Sequence, residues 1–278
     1  MTAAVGQASV ANVLAIDSRA CPQCGGRAVK SLPRYSTDEW HVVECVACGF
    51  VFLLNPPPYT RLVEEFAWEK TAPAETERRH VERPAIMWLD DATRWRLTLF
   101  RGDRRSLYRR LFRPGRVLDV GCGGHVAPPE PFIPYGIEIS RALYEKAAPL
   151  MAARGGKAVH GPAAEAIGSF PDGFFSGVIL SSVVEHETQP KRLLAEVARV
   201  IENDGSAYIR VPNFGSINRV VNGGGWCGFR HPDHVNYFTL ASLRRMVGDC
   251  GLAVALLHPI RLPLDDNINA VLTKATIH

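Results

Sequence analysis

The 278-residue chain has no apolar run approaching the ~20 residues that a membrane-spanning helix needs, so no transmembrane segment is expected. Its opening residues, MTAAVGQASVANVLAIDSRA, lack a basic segment followed by an apolar core. They read as a loose tail over 1–18 rather than a secretory leader. A cytoplasmic setting is therefore expected, where the seven cysteines act as thiols or metal ligands rather than disulfides. Extreme charge is missing too, since the formal net charge is only +4. Acid, however, is locally scarce: from Arg94 to Arg116 there are nine arginines and one acidic residue, Asp103. Such a run is either a solvated helical face or a docking surface for phosphates on a nucleotide-linked substrate or RNA.

What is present begins with cysteine. CPQC at Cys21–Cys24 and CVAC at Cys45–Cys48 are two CxxC knuckles separated by twenty residues. Each knuckle turns tightly enough for two thiolates to meet one ion, and a short hairpin between them completes a tetrahedral four-sulfur site. Cys21, Cys24, Cys45 and Cys48 are thus the expected ligands of a structural zinc ion, in a ribbon over residues 19–55. Four thiolates leave no open position for catalysis. The segment NPPPY that follows looks like the Asn-Pro-Pro-Tyr signature of amino-methylating DNA enzymes, but it follows a ribbon and carries an extra proline. It is read as a linker. Residues 56–113 read as a helical arm, rich in Glu, Arg, Leu and Trp, with a break near Pro84.

From Arg116 onward, strands alternate with helices, which implies a parallel sheet wrapped by helices over 114–278. RVLDV, YGIEI, KAVHG, FFSGVILSSVV and SAYIRVP read as successive strands. KRLLAEVARVIENDG reads as a helix with Leu193, Leu194, Val197, Val200 and Ile201 on one face, ended by Asn203-Asp204-Gly205. AVALLHPI and NAVLTKATI form a final hairpin-like pair. After the first strand comes GCGG, which lacks the G-x-G-x-x-G spacing of a dinucleotide site. Gly121 and Gly123 allow close backbone approach to a ligand. Glu138 lies 19 residues beyond Asp119, at the end of the second strand, where a carboxylate can accept both hydroxyls of a ribose. A helix should separate these two strands. Pro128, Pro129, Pro131 and Pro134 forbid a full one, so a very short helix or an irregular crossover is expected.

VLDVGCGG, GIEIS, SSVVEH and the ENDG turn together resemble the class I S-adenosylmethionine-dependent methyltransferases, over roughly Arg116 to His278. The resemblance implies a Rossmann-like sheet, mostly parallel with an antiparallel last strand. It also implies S-adenosylmethionine contacts at Asp119, Gly121, Cys122, Gly123, Gly124, Glu138, Ile139, Glu165 and Ser181. The family usually has glycine where His125 stands, and a helix where the prolines fall. A binding protein with a degenerate cofactor site is the non-enzymatic alternative that these departures raise.

Ligands of such sheets lie beyond the carboxyl ends of the strands, where Glu185 and His186 follow the fourth strand. After the fifth comes VPNFGSINRVVNGGGWCGFRHPDHVNYFTLASL, too long for a plain connection and expected to form a mobile cover over substrate. Its HPDHVNYFTL resembles a segment of zinc-ribbon-bearing sugar C-methyltransferases. That resemblance implies a general base at His234, with Tyr237 close by; His186 is the second candidate. Here His231 and His234 are three apart rather than two, and without a third ligand at suitable spacing they are not expected to hold a metal. The expected activity is methyl transfer to a hydroxyl or activated carbon of a small or carrier-linked acceptor, such as a nucleotide-linked sugar or glycan precursor. Zinc-finger ribosomal RNA methyltransferases also place a cysteine-rich module before this fold, so RNA is the alternative partner. Against RNA stand the modest charge and the absence of interleaved aromatic and basic residues.

Overall fold

The structure is a computed structural model that describes residues 18–58 and 103–275, with Arg61, Glu77 and Val81 between them. Most of the expected helical arm lies outside these residues. Its described end is helix α1 (Arg104–Leu111), which Asp103 caps by accepting the Arg105 amide. Among the described residues no helix is long and apolar enough to cross a membrane.

Two sheets organise the molecule. The first begins as an antiparallel meander of β1 (Val29–Ser31), β2 (Val42–Cys45) and β3 (Val51–Leu53). The second follows the α/β alternation. Its elements are β4 (Arg116–Val120), β5 (Ile133–Glu138), α2 (Arg141–Ala152), β6 (Lys157–His160), the short α3 (Ala163–Ala166) and β7 (Phe175–Ser181). Next come α4 (Pro190–Val200), β8 (Ile201–Pro212), α5 (Ile217–Asn222), β9 (Asn236–Tyr237), α6 (Leu240–Gly248), β10 (Leu252–Leu256) and β11 (Asn267–Lys274). Seven of these strands form one sheet in the order β10-β11-β8-β7-β4-β5-β6, with β11 antiparallel to both its neighbours. This is the Rossmann-like order expected from the sequence, with the hairpin-like pair at its edge. Strand β9 goes elsewhere. It leaves the long insertion after β8 and pairs antiparallel with β3, so the ribbon sheet reads β1-β2-β3-β9.

One core joins the two parts. Phe50, Phe52 and Leu54 from the ribbon pack in the same buried cluster as Phe238, Leu243 and Met246 from the far end of the chain. Leu193, Leu194, Val197 and Val200 of α4 are buried in it too, as their helical spacing indicated. That helix nevertheless stops at Val200, not at Gly205. The carbonyls of Arg199 and Val200 accept the Gly173 and Phe174 amides, and Ile201 turns extended into β8. Ile201 is buried in the strand, and its apolar character could not distinguish helix from strand.

Between β4 and β5 there is no helix. The proline segment crosses as turns, and its carbonyls lack the helical amides that would normally satisfy them. Arginines take that place. Arg154 donates to the carbonyls of Pro128 (2.7 Å) and Phe132 (2.8 Å), and Arg109 donates twice to that of Glu130. Arg154→Ala is therefore expected to lower stability by about 1.5–3 kcal/mol, the range for hydrogen bonds from a charged donor. Urea titration checks it, as a shifted midpoint with an unchanged slope.

Candidate functional site

The loop that closes β4 has two glycines in the left-handed region, Gly121 (φ 69°) and Gly123 (φ 62°), where only glycine is relaxed. The Gly121 and Cys122 amides both bond the Ile137 carbonyl, which folds the loop over the end of β5. A Cβ on Gly121 would stand 2.9 Å from Val183, so this loop lies directly against the segment that follows β7. Glu138, buried at the end of β5, accepts the Gly123 amide at 2.7 Å on one oxygen and the Ser140 amide at 2.8 Å on the other. Each oxygen retains a second lone pair. Asp119 is buried at the end of β4, and its carboxyl is pushed up to about 7 by burial and then by the Glu138 charge.

The other residues expected around a cofactor are spread along the same edge. Cys122 is buried among Ala147, Met151 and Ala158, with its thiol 3.5 Å from the Gly123 carbonyl, and Gly124 sits against Leu143 and Lys146. Ile139 is half-buried, with its carbonyl bonded to His160. Ser181 ends β7, and Glu165 is an exposed residue of α3 just beyond β6.

Beyond β7 the chain places Glu185 and His186 beside residues of the insertion. The His186 and His234 rings lie 4.7 Å apart and nearly perpendicular. His186 Nδ1 bonds the Asp233 carboxylate at 2.8 Å, and Asp233 also pairs with Arg230 at 2.7 Å. His234 Nδ1 donates to the Gly228 carbonyl at 2.8 Å. These contacts set opposite proton affinities. Burial works against charge on His186, but the Asp233 charge, the bond to it and Glu185 overcome that and raise it to about 9. Burial and then the neighbouring His186 hold His234 well below its ordinary value, so its ring is neutral at physiological pH. Burial also raises the Glu185 carboxyl. Tyr237 is buried in β9, and its hydroxyl donates to the His234 carbonyl at 2.9 Å. His231 bonds the Tyr35 carbonyl from the ribbon, and its other ring nitrogen lies 3.3 Å from the Tyr237 hydroxyl.

Asp233 had no assigned role in the sequence. The only hint was its place between two histidines, because its partner His186 lies 47 residues away. The expected mobile cover is a packed layer here. Phe214, Trp226, Phe229 and Tyr237 form an apolar cluster with Val51 and Leu53 of the ribbon, and Trp226 bonds Asp266 at 2.7 Å.

At the other end of the ribbon the four cysteine sulfurs converge, with every pair within 4.8 Å. Cys21 and Cys48 sulfurs are 3.6 Å apart and those of Cys24 and Cys45 3.5 Å. A Cβ on Gly26 would come within 3.3 Å of two of these sulfurs, so a side chain there would crowd the cradle. An all-thiolate set of four suits a closed tetrahedral ion.

The strand order, the glycine loop and the carboxylate ending β5 define a class I S-adenosylmethionine-dependent methyltransferase. A methyltransferase-domain family profile matches residues 90–257, and the chain belongs to that family. No curated protein matches it. Among solved structures it is similar to an S-adenosylmethionine-dependent methyltransferase from Archaeoglobus fulgidus, at 16% identity over 68% of this chain and 100% of that one, with a TM-score of 0.46. It is also similar to a TehB-like S-adenosylmethionine-dependent methyltransferase from Corynebacterium glutamicum, at 18% identity over 73% and 99%, with a TM-score of 0.45.

The Asp119 shift makes a prediction about the ligand-free protein. An acid raised in the folded state leaves stability intact below about pH 4 and removes it as pH climbs toward about 7. About three units at 1.36 kcal/mol each bound the loss at about 4 kcal/mol. Asp119→Asn is therefore expected to melt higher than the parent at pH 8 and close to it at pH 4. Thermal melts at both values test this.

Proposed function

We propose that this methyltransferase modifies a hydroxyl or activated carbon of a small or carrier-linked acceptor, such as a nucleotide-linked sugar or glycan precursor. The observation that carries this is the apposition of the glycine loop, through Gly121 against Val183, with the Glu185–His186–His234 cluster across the sheet's carboxyl edge. When bound, S-adenosylmethionine supplies a methyl group already activated by its sulfonium. Glu138 accepts the ribose hydroxyls on its remaining lone pairs, and the Gly121–Gly124 backbone lines the rest of the cofactor. The protein's remaining task is to align the acceptor and remove its proton.

His234 is the base in this reading. Its Nδ1 is committed to Gly228, which leaves Nε2 as the proton acceptor, and the Tyr237 hydroxyl fixes the backbone beneath it. Tyr237 thus acts through His234, as a positioning residue. His186, held by Asp233, orients the acceptor beside it. Zinc on Cys21, Cys24, Cys45 and Cys48 shapes the ribbon and takes no part in the chemistry. Residues 19–55 and 114–278 then work as one catalytic unit; the tail expected over 1–18 and most of the arm expected over 56–113 lie outside the described residues. Within the arginine run, Arg109 is bonded to the crossover, and Arg116 donates to the Phe174 carbonyl and lies over that ring.

Methyl-labelled cofactor offered to nucleotide-linked sugars and to total RNA tests the acceptor class. Label is expected in the small-molecule fraction; label confined to RNA contradicts the proposal. Glu138→Ala is expected to weaken S-adenosylmethionine binding by about 1.5–3 kcal/mol, measured by calorimetry. His234→Ala is expected to lower kcat by ~10²–10⁴-fold while cofactor affinity stays unchanged. If His186→Ala abolishes turnover and His234→Ala does not, the two roles are exchanged.

A further inference from the structure

We infer that Glu185, His186 and His234 form a second metal site, separate from the cysteines, that takes one divalent first-row transition ion such as zinc or cobalt. One ligand atom from each residue lies within 4.8 Å of the others. Two imidazoles and a carboxylate are the donor set such ions prefer, and three protein ligands leave positions open.

The surroundings are those of a ligand set. Metal-bound histidines generally donate their second nitrogen to a carboxylate or a backbone carbonyl, which fixes the ring and its tautomer. Both patterns occur here. His186 Nδ1 is held by the Asp233 carboxylate, and His234 Nδ1 by the Gly228 carbonyl. Each ring therefore commits Nδ1 within the protein and offers Nε2 to the ion, His186 giving up its proton as the ion binds. The third ligand gives an independent sign. Glu185 is 1% exposed, and its Oε2 is buried without a hydrogen-bond partner. Buried carboxylates are paired or coordinate metals. The His186 side chain retains 27% exposure, which leaves a path for the ion.

The ion's binding does not depend on the proposed function, but its role rests on that reading. In the acceptor crevice, open coordination positions would hold the acceptor's oxygen and favour loss of its proton. His234 then serves as a ligand in the loaded protein and as the base in the unloaded one.

The test is metal uptake by the full chain, which needs no acceptor. Protein is equilibrated with cobalt, its metal content is measured and its absorption spectrum recorded. The parent is expected to take up one ion beyond any held by the cysteines, with a spectrum that lacks thiolate charge-transfer bands. Glu185→Gln, which keeps the side-chain shape, should lose that ion and keep the thiolate-bound one. Cys45→Ser should lose the thiolate-bound ion. Asp233→Asn should weaken the second ion by about 10–100-fold through its hold on His186. A parent that binds cobalt only through thiolates overturns the inference, as does a second ion that survives both Glu185→Gln and His186→Ala. Uptake without methyl transfer to any acceptor would leave the site standing and fail the functional reading.

Discussion

Asn236 holds three distant segments at one point. Its side-chain amide donates to the carbonyls of Val184 and Glu187, and its oxygen accepts the Arg19 guanidinium. Its own amide and that of Val235 bond the Glu185 carbonyl. Arg19, half-buried and bonded also to Leu53 and Thr188, ties the start of the ribbon to the same place. Strand β9 thereby belongs to the ribbon sheet and to the segment after β7 at once. His186 on one segment and His234 on the other face each other because this joint fixes both backbones. A buried polar network of this kind specifies one arrangement only when every member is satisfied.

This joint changes what the ribbon is for. A cysteine-rich ribbon placed before such a fold invites description as a docking module. Here its apolar face is part of the main core, and its edge strand is completed by the residues that carry His234. The proline crossover follows a similar logic. A helix would have satisfied its own backbone; without one, Arg109 and Arg154 supply the donors from outside. Arg109, from the stretch that looks on the sequence like a surface for polyanions, stays exposed while it braces this crossover.

Local features were the legible ones. Each CxxC knuckle is a turn set by its own four residues. The glycine loop needs positive φ at Gly121 and Gly123, and the strand alternation follows from short apolar runs. The prolines excluded the missing helix on steric grounds alone. What could not be read arises from contacts far apart in the chain. Nothing near Asn236 or Tyr237 shows that they pair with Val51 and Phe52. The end of α4 at Val200 is set by amides of the Gly173–Phe174 turn, while the sequence offered Asn203-Asp204-Gly205 as the more obvious stop. Asp233 and Glu185 gain meaning only once the fold brings them to His186 and His234.

The central claim is that the ribbon and the Glu185–His186–His234 cluster form one cooperative unit through Asn236. Hydrogen exchange on Cys45→Ser, compared with the parent, tests it most directly. The amides of His186, Val235 and Asn236 are all hydrogen-bonded in the intact joint. Their protection is expected to fall together with that of β2 and β3. Loss of protection confined to residues 21–54, with those three amides unchanged, would contradict the account.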